Sequence, residues 1–115
     1  MIYELREYTA VPGAAEALNE RFARDTLDIF VSNGIHVLGF WHEAGDPGRI
    51  VYLAAFADEQ ERSNAWARFK ADETWQRVKA ESEAGGPIVA EQNSRVLEAP
   101  DYWTARSGRA EELRS

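Results

Sequence analysis

The chain has 115 residues, of which 44% are hydrophobic and 11% aromatic, and 20 acidic against 13 basic side chains give a formal net charge of -7. This length suits one domain with a real core, and the negative charge argues against nucleic acids and anionic membranes as partners, because both require a basic surface. The absence of cysteine excludes disulfides and thiolate chemistry.

The first predicted element is a strand over Ile2–Thr9, which follows Met1 directly and leaves no room for a signal peptide. No apolar run approaches the roughly 20 residues of a membrane span, so we expect a cytoplasmic protein. Glu4, Arg6 and Tyr8 share one face of this strand, an unusual place for charges. Arg6 belongs either to a structural ion-pair network or to a site that anchors an anionic or carbonyl ligand.

A helix is predicted from Pro12–Gly13 to about Ser32, where Asn33–Gly34 ends it. An apolar stripe at helical spacing follows the helix and is interrupted at Asp25 and Thr26. The Asp25 carboxylate therefore lies either at the solvated edge of the stripe or in a cavity, where it would contact a ligand.

A β-hairpin is predicted over Ile35–Phe56, with its turn at Gly45–Gly48. Both strands of the hairpin are apolar on both faces. A sheet with one solvated face alternates apolar and polar residues instead. The sheet that contains this hairpin therefore requires cover on both sides.

The first strand of the hairpin carries the two histidines, His36 and His42. We place them on one face, roughly 20 Å apart, which is too far for one metal ion to bind both. We predict no metal site and no cofactor, although this spacing does not address a haem with one axial histidine. His42, near the strand end, is the candidate catalytic proton carrier. The alternative is a partly exposed histidine beside a turn.

Asp58 and Glu61 form a capping-box-like start for the next helix, and Asp72 caps a second helical piece that ends near Glu83. Aromatic residues on the hairpin and on these helices form either plain core or the wall of a flat apolar pocket for a ring-shaped molecule. The candidate ligand contacts in that wall are Tyr52, Trp66, Phe69 and Trp75.

The last predicted strand, Ile88–Glu98, is more polar than the hairpin, as is typical of an edge strand. If it neighbours the first strand, its charged face can form a ladder with Glu4, Arg6 and Tyr8, and the register that decides this is not set by the sequence. The members of that face are Glu91, Asn93 and Arg95.

The order strand, helix, strand, strand, helix, strand predicts an α+β protein with the ferredoxin-like βαββαβ fold. Right-handed crossovers place both helices on one face of its antiparallel four-stranded sheet. The opposite, bare face of the sheet carries no helix, and its apolar area is larger than soluble monomers usually expose. We therefore expect a homodimer in which two copies pack sheet to sheet. Residues 1–100 form this domain, and residues 101–115 form a C-terminal tail of unassigned role.

Several short segments stand out by their order and spacing: Ile2–Tyr8, Pro12–Gly13, Gly39–Trp41, Val51–Leu53, Ala65–Trp66 with Trp75, Glu91–Asn93 and Arg95–Leu97. Together they resemble the NIPSNAP family, which is similar to the dimeric α/β-barrel superfamily. The resemblance covers Met1 to about Asp101. It implies a homodimer with a small pocket between sheet and helices in each subunit, and it supplies no catalytic residue set.

Two classes of function remain open. One is the binding of a small apolar or aromatic metabolite in the pocket, with a cofactor-free monooxygenase or isomerase as its enzymatic form. The other is a non-catalytic scaffold dimer. An enclosed cavity would favour the first, and a solidly filled space the second. The sequence lacks the G-x-S-x-G nucleophile elbow, the Walker loop, the G-x-G-x-x-G dinucleotide motif and the H-E-x-x-H zinc motif. Their absence argues against the enzyme classes that depend on these motifs.

Overall fold

The computed structural model describes residues 1–103, which form an antiparallel sheet of four strands with helices on one face. The elements are β1 (Ile2–Ala10), α1 (Ala15–Arg21), a π-helical segment (Phe22–Thr26), α2 (Leu27–Ser32), β2 (His36–Glu43), β3 (Asp46–Phe56), α3 (Glu59–Ala71), α4 (Glu73–Ser82) and β4 (Val89–Leu97). The strand order is β2-β3-β1-β4. This confirms the predicted α+β ferredoxin-like fold. Most of the predicted tail lies outside the described residues.

The helices after the hairpin begin where the sequence predicts, because aspartates cap them. Asp58 Oδ1 accepts a hydrogen bond from the Glu61 backbone N–H at 2.8 Å. Asp72 Oδ1 accepts from the backbone N–H groups of Thr74 at 2.8 Å and Trp75 at 3.2 Å. The first N–H groups of a helix have no partner within the helix, and these bonds satisfy some of them. The bonds to Asp72 begin α4 as a helix separate from α3.

The hydrophobic core lies between the helices and one face of the sheet. Alternate residues of β3 point into it, and Ile50, Tyr52 and Ala54 are completely buried there. The first helical run contributes an apolar stripe from the opposite side. Its buried members are Leu18, Phe22, Ile29 and Phe30.

The turn of the hairpin is tighter than predicted. Glu43 pairs with Asp46, so only Ala44 and Gly45 connect the strands. Gly45 has φ +82°, a conformation that glycine adopts without steric cost. The predicted turn at Gly45–Gly48 was therefore too long, since its last three residues belong to β3.

A bulge at Leu38 in β2 corrects the predicted placement of the histidines. His36 pairs with Ala55, whereas His42 pairs with Ile50. These partners stand an odd number of residues apart on β3, so they point to opposite faces. The extra residue in β2 reverses which sheet face the later side chains of the strand point to, so the two histidines do not share a face.

The strands β1 and β4 are neighbours, as predicted, but the charged ladder between them does not form. Arg6 pairs with Ser94, and Glu7 pairs with Asn93. Neighbouring positions in a strand point to opposite faces, so this register separates the two charged sets. Asn93 and Arg95 therefore lie on the bare face, away from Arg6, whereas Glu91 stands beside a bulge near the start of β4.

The bare face of the sheet is the one turned away from the helices. Trp41 lies on it with 55% of its surface exposed. A Cβ atom built on Gly39 would overlap the Trp41 ring, so the indole lies flat across that glycine. The neighbouring large apolar residues on this face are Tyr3, Leu5, Val51, Leu53 and Leu97.

Candidate functional site

A cavity of about 410 Å³ lies between the sheet and the helices. Its volume falls within the range of roughly 300–1,000 Å³ that is typical of small-molecule sites. Exposed residues such as Lys70 and Lys79 mark its solvent side. Its aromatic walls are Phe22, Phe30, Trp66, Phe69 and Trp75.

Glu4 lies behind this cavity with none of its surface exposed. Its carboxylate accepts hydrogen bonds from Arg6 Nη1 at 2.9 Å, Arg62 Nη1 at 3.0 Å and Trp66 Nε1 at 2.8 Å. Burial alone would raise the pKa of Glu4, but the bonds from Arg6, Arg62 and Trp66 hold it below its usual value. The carboxylate is therefore ionised at neutral pH and fixes Arg6 at the cavity wall.

Arg6 is a cation held against an aromatic ring. Its guanidinium carbon lies 4.2 Å from the centroid of Trp66, a distance at which cation–π attraction operates. Its Nη2 donates to the Tyr8 hydroxyl at 3.2 Å. Burial disfavours its charge, but the Tyr52 and Tyr8 phenols and the Glu4 carboxylate raise the pKa of Arg6 above its ordinary value. Arg6 is therefore a fixed positive charge beside the cavity.

The hydroxyl groups of Tyr8 and Tyr52 lie 3.0 Å apart. Tyr52 is completely buried, and burial raises its pKa well above the usual value, so its phenol keeps the proton. The Tyr8 hydroxyl lies within hydrogen-bond distance of it, and either oxygen could be the donor. A buried donor without an acceptor costs about 1–3 kcal/mol, which favours donation from Tyr52 to Tyr8. The Tyr8 O–H group then remains available to the cavity that Tyr8 lines.

The π-helical segment shapes the opposite wall. The Leu27 N–H donates to the Phe22 carbonyl five residues earlier, and the Thr26 hydroxyl donates to the Arg21 carbonyl at 3.2 Å. The wider turn buries Thr26 against the cavity and leaves Asp25 half-buried on the outer side. Short π-helical segments are frequent at functional sites.

Arg21 enters the cavity wall at the start of that segment. Its side chain is 6% exposed, and its Nη1 donates to Ser82 Oγ at 3.1 Å. The nearest Glu83 carboxylate oxygen is 3.7 Å away, and the guanidinium lies 5.1 Å from the Trp75 ring centroid. Burial lowers the pKa of Arg21, with Glu83 opposing that shift, but arginine keeps its charge in proteins. Arg21 is thus a second buried cation on this cavity.

The cavity brings together four of the predicted ligand contacts: Arg6, Trp66, Phe69 and Trp75. Tyr52 lies directly behind it, bonded to Tyr8. Asp25 lines a separate groove between α1 and α4 instead. Contact of any of these residues with a ligand stays a prediction.

His42 lies apart from the cavity. It is exposed near the end of β2, and its Nδ1 is 3.0 Å from the Glu43 carbonyl oxygen. Its catalytic role stays a prediction. In residues 1–103, no group of three potential metal ligands lies together, and no helix is long and apolar enough to cross a bilayer.

The cavity also includes residues that were not among the predicted contacts, and the two that matter most for its chemistry are Tyr8 and Arg21. Tyr8 follows Arg6 by two residues and therefore shares its strand face. Arg21 follows the buried Leu18 by three residues and therefore lies on the inward side of the helix. Both signals are present in the sequence, although neither distinguishes a ligand contact from a structural residue.

The NIPSNAP family model matches residues 3–109. The chain belongs to the NIPSNAP family. This confirms the resemblance seen in the sequence, and the match extends past the predicted domain boundary at residue 100. A comparison of this NIPSNAP chain with curated proteins gave no match.

Solved structures of other NIPSNAP proteins share the fold of this one. An uncharacterized NIPSNAP domain protein from Burkholderia xenovorans superposes with a TM-score of 0.75 at 21% identity, covering 89% of this chain and 97% of its own. A NIPSNAP family protein from Agrobacterium tumefaciens gives 0.76 at 16% identity, covering 88% and 94%. A candidate antibiotic biosynthesis monooxygenase from Nitrosomonas europaea gives 0.62 at 16% identity, covering 86% and 98%. These likenesses concern the fold alone.

Proposed function

We propose that this NIPSNAP protein binds a small organic molecule with a flat apolar ring in the cavity between sheet and helices. The cavity itself carries the proposal, because it provides about 410 Å³ of space between the sheet and the helices and opens to solvent on one side. Aromatic walls with a few placed polar groups are the usual composition of a small-molecule site. Here Arg6 and Tyr8 are the polar groups at one end of the cavity.

The aromatic walls suit a flat ligand. The Phe69 and Trp75 rings lie 4.7 Å apart and are tilted by 32°, whereas Trp66 stands nearly perpendicular to Phe69 at 87°. These rings offer both faces and edges, and aromatic pairs favour offset-stacked and edge-to-face contacts. A ring in the cavity would meet both kinds of surface, and the hydrogen-bond donors at Arg6 and Tyr8 would set its orientation.

We also propose that the protein is a cytoplasmic homodimer. The support for the dimer is the bare face, where Trp41 and Leu97 are exposed beside the apolar side chain of Leu53. Contiguous apolar patches on soluble proteins mark interaction sites. A second copy would cover the patch with a self-complementary surface across a two-fold axis.

A cofactor-free isomerase or oxygenase is a second candidate function. The observation that favours it is the pairing of the Arg6 guanidinium with the available Tyr8 O–H at one end of the cavity. Donors in such an arrangement stabilise negative charge that develops on a substrate oxygen. This candidate predicts turnover of an enolisable or phenolic ring compound, whereas a pure binding protein returns it unchanged.

Calorimetric titration with the neutral probe 2-naphthamide tests the binding proposal. Ala90→Phe places a ring at the cavity lining and should weaken binding at least about tenfold, because the ring occupies the ligand's space. Ala67→Phe adds the same ring to the exposed side of α3 and should leave binding unchanged. Failure of both 2-naphthamide and the corresponding acid, 2-naphthoate, to bind the unmodified chain, or equal binding of the amide by both variants, would contradict the proposal.

A further inference from the structure

We propose that the ligand is an organic anion, a flat ring bearing a carboxylate or phenolate that binds between Arg6 and Arg21. This inference rests on the proposed function and narrows it to one chemical class. Three features of the cavity support it: its charge, the unmet hydrogen-bonding capacity of its arginines, and the way those arginines are held.

The charge of the cavity lining is opposite to that of the chain. Its residues include four cations and two carboxylates, which gives a local excess of two positive charges. The whole chain has a net charge of -7. A positive cavity in an acidic protein attracts a small anion into a site where the surrounding surface would repel it. The charged lining residues are Arg6, Arg21, Lys70, Lys79, Glu83 and Glu91.

Both buried arginines have N–H groups to spare. A guanidinium has five N–H donors. Within the described residues, Arg6 donates to Glu4 and Tyr8, whereas Arg21 donates to Ser82. The Nε atoms of both arginines are buried without a hydrogen-bond partner in that part of the chain. A ligand carboxylate in the cavity would supply acceptors for the remaining Nη–H groups as charge-assisted bonds.

Aromatic rings position both guanidinium groups. Arg6 lies over Trp66 and Arg21 lies over Trp75, at 4.2 and 5.1 Å from the ring centroids. Each guanidinium also has one carboxylate nearby, Glu4 at 2.9 Å from Arg6 and Glu83 at 3.7 Å from Arg21, and the ring contacts add no further negative charge. A ligand ring placed between the same walls would bring its own carboxylate to these two cations. The Tyr8 O–H group would add a neutral donor.

Two matched probes test this inference on the full chain. The first is 2-naphthoate, which is ionised at neutral pH, and the second is the neutral 2-naphthamide of nearly the same shape. We expect naphthoate to bind about tenfold more tightly or better, the usual gain from a charge-assisted hydrogen bond. Arg21→Gln should abolish this preference. Arg24→Gln removes the same charge from an exposed position on the same helical run and should retain it.

A second variant keeps the test decisive if Arg21→Gln unfolds. Lys70→Gln combined with Lys79→Gln changes exposed residues at the cavity opening and should reduce the preference for naphthoate. Equal binding of both probes, or tighter binding of the amide, would overturn the anion inference and leave the proposed function intact. Failure of both probes to bind would overturn both.

Discussion

Glu4 and Arg6 stand two residues apart on β1 and form a buried ion pair, with Arg6 Nη1 2.9 Å from Glu4 Oε2. The two residues of this pair have different surroundings. Glu4 is fully enclosed and meets three donors, whereas Arg6 reaches the cavity. The carboxylate thereby acts as a positioning group for a cation that is available to a ligand.

Glu4→Gln tests how strongly the fold depends on this carboxylate. The substitution leaves Arg6 and Arg62 without their buried counter-charge, and breaking such a pair costs about 3–5 kcal/mol of unfolding free energy. Urea unfolding followed by tryptophan fluorescence measures the loss. Glu59→Gln removes the exposed partner of Arg62 and should change stability little. Equal effects of the two changes would contradict a central role for Glu4.

The pH dependence of stability follows from the lowered pKa of Glu4. Its folded-state value lies below the unperturbed 4.5, so the unfolded chain binds more protons in the acidic range. The contribution of Glu4 is therefore complete above the unfolded pKa and disappears as pH falls through the folded value. Urea midpoints between pH 3 and 7, roughly spanning the titration of carboxylates, should fall more steeply for the unmodified chain than for Glu4→Gln. Parallel curves would show that Glu4 does not contribute.

The Tyr8–Tyr52 hydrogen bond predicts an asymmetry between two similar substitutions. Tyr8→Phe removes the acceptor for both Arg6 and the Tyr52 proton, so two donors lose a partner and stability should fall by about 2 kcal/mol or more. Tyr52→Phe leaves the Arg6 bond to Tyr8 in place and should cost about 1 kcal/mol. Denaturant unfolding of both variants measures the difference. A larger loss for Tyr52→Phe would reverse the assigned direction of the hydrogen bond.

Leu53→Glu tests the proposed dimer. A carboxylate in an apolar interface is costly, so this variant should sediment as a monomer at low micromolar concentration, while the unmodified chain sediments as a dimer. Val31→Glu makes the same change on α2, where the side chain is already 76% exposed, and should leave the dimer intact. A monomeric mass for the unmodified chain would remove the basis for this proposal.

The sequence predicted the fold well because strong local signals agree with one another. The caps at Asp58 and Asp72, the alternation of the hairpin and the element order all indicate the same topology. The histidines were misplaced because one inserted residue, Leu38, reverses the alternation of β2. The register of β4, which turns Arg95 away from Arg6, was left open because residue alternation does not specify how two strands are aligned.

The candidate site was predicted only in part, for a related reason. Aromatic residues at helical spacing signalled an apolar wall, and Trp66 and Phe69 do line the cavity. The interruption at Asp25 and Thr26 is the signature of the π-helical segment, but standard helical spacing cannot show which of the two residues turns inward. Pairing of Glu4 with Arg62 joins residues 58 positions apart and depends on tertiary structure.

The most direct test of the cavity as a ligand site is the NMR signal of each tryptophan indole N–H. Of the four tryptophans, Trp66 and Trp75 line the cavity, Trp41 lies on the bare face, and Trp103 is exposed away from the cavity lining. Single Trp→Phe changes assign the signals. On addition of 2-naphthoate, we expect the indole N–H signals of Trp66 and Trp75 to shift and that of Trp41 to stay in place. Shifts confined to Trp41, or no shift at Trp66 and Trp75, would contradict it.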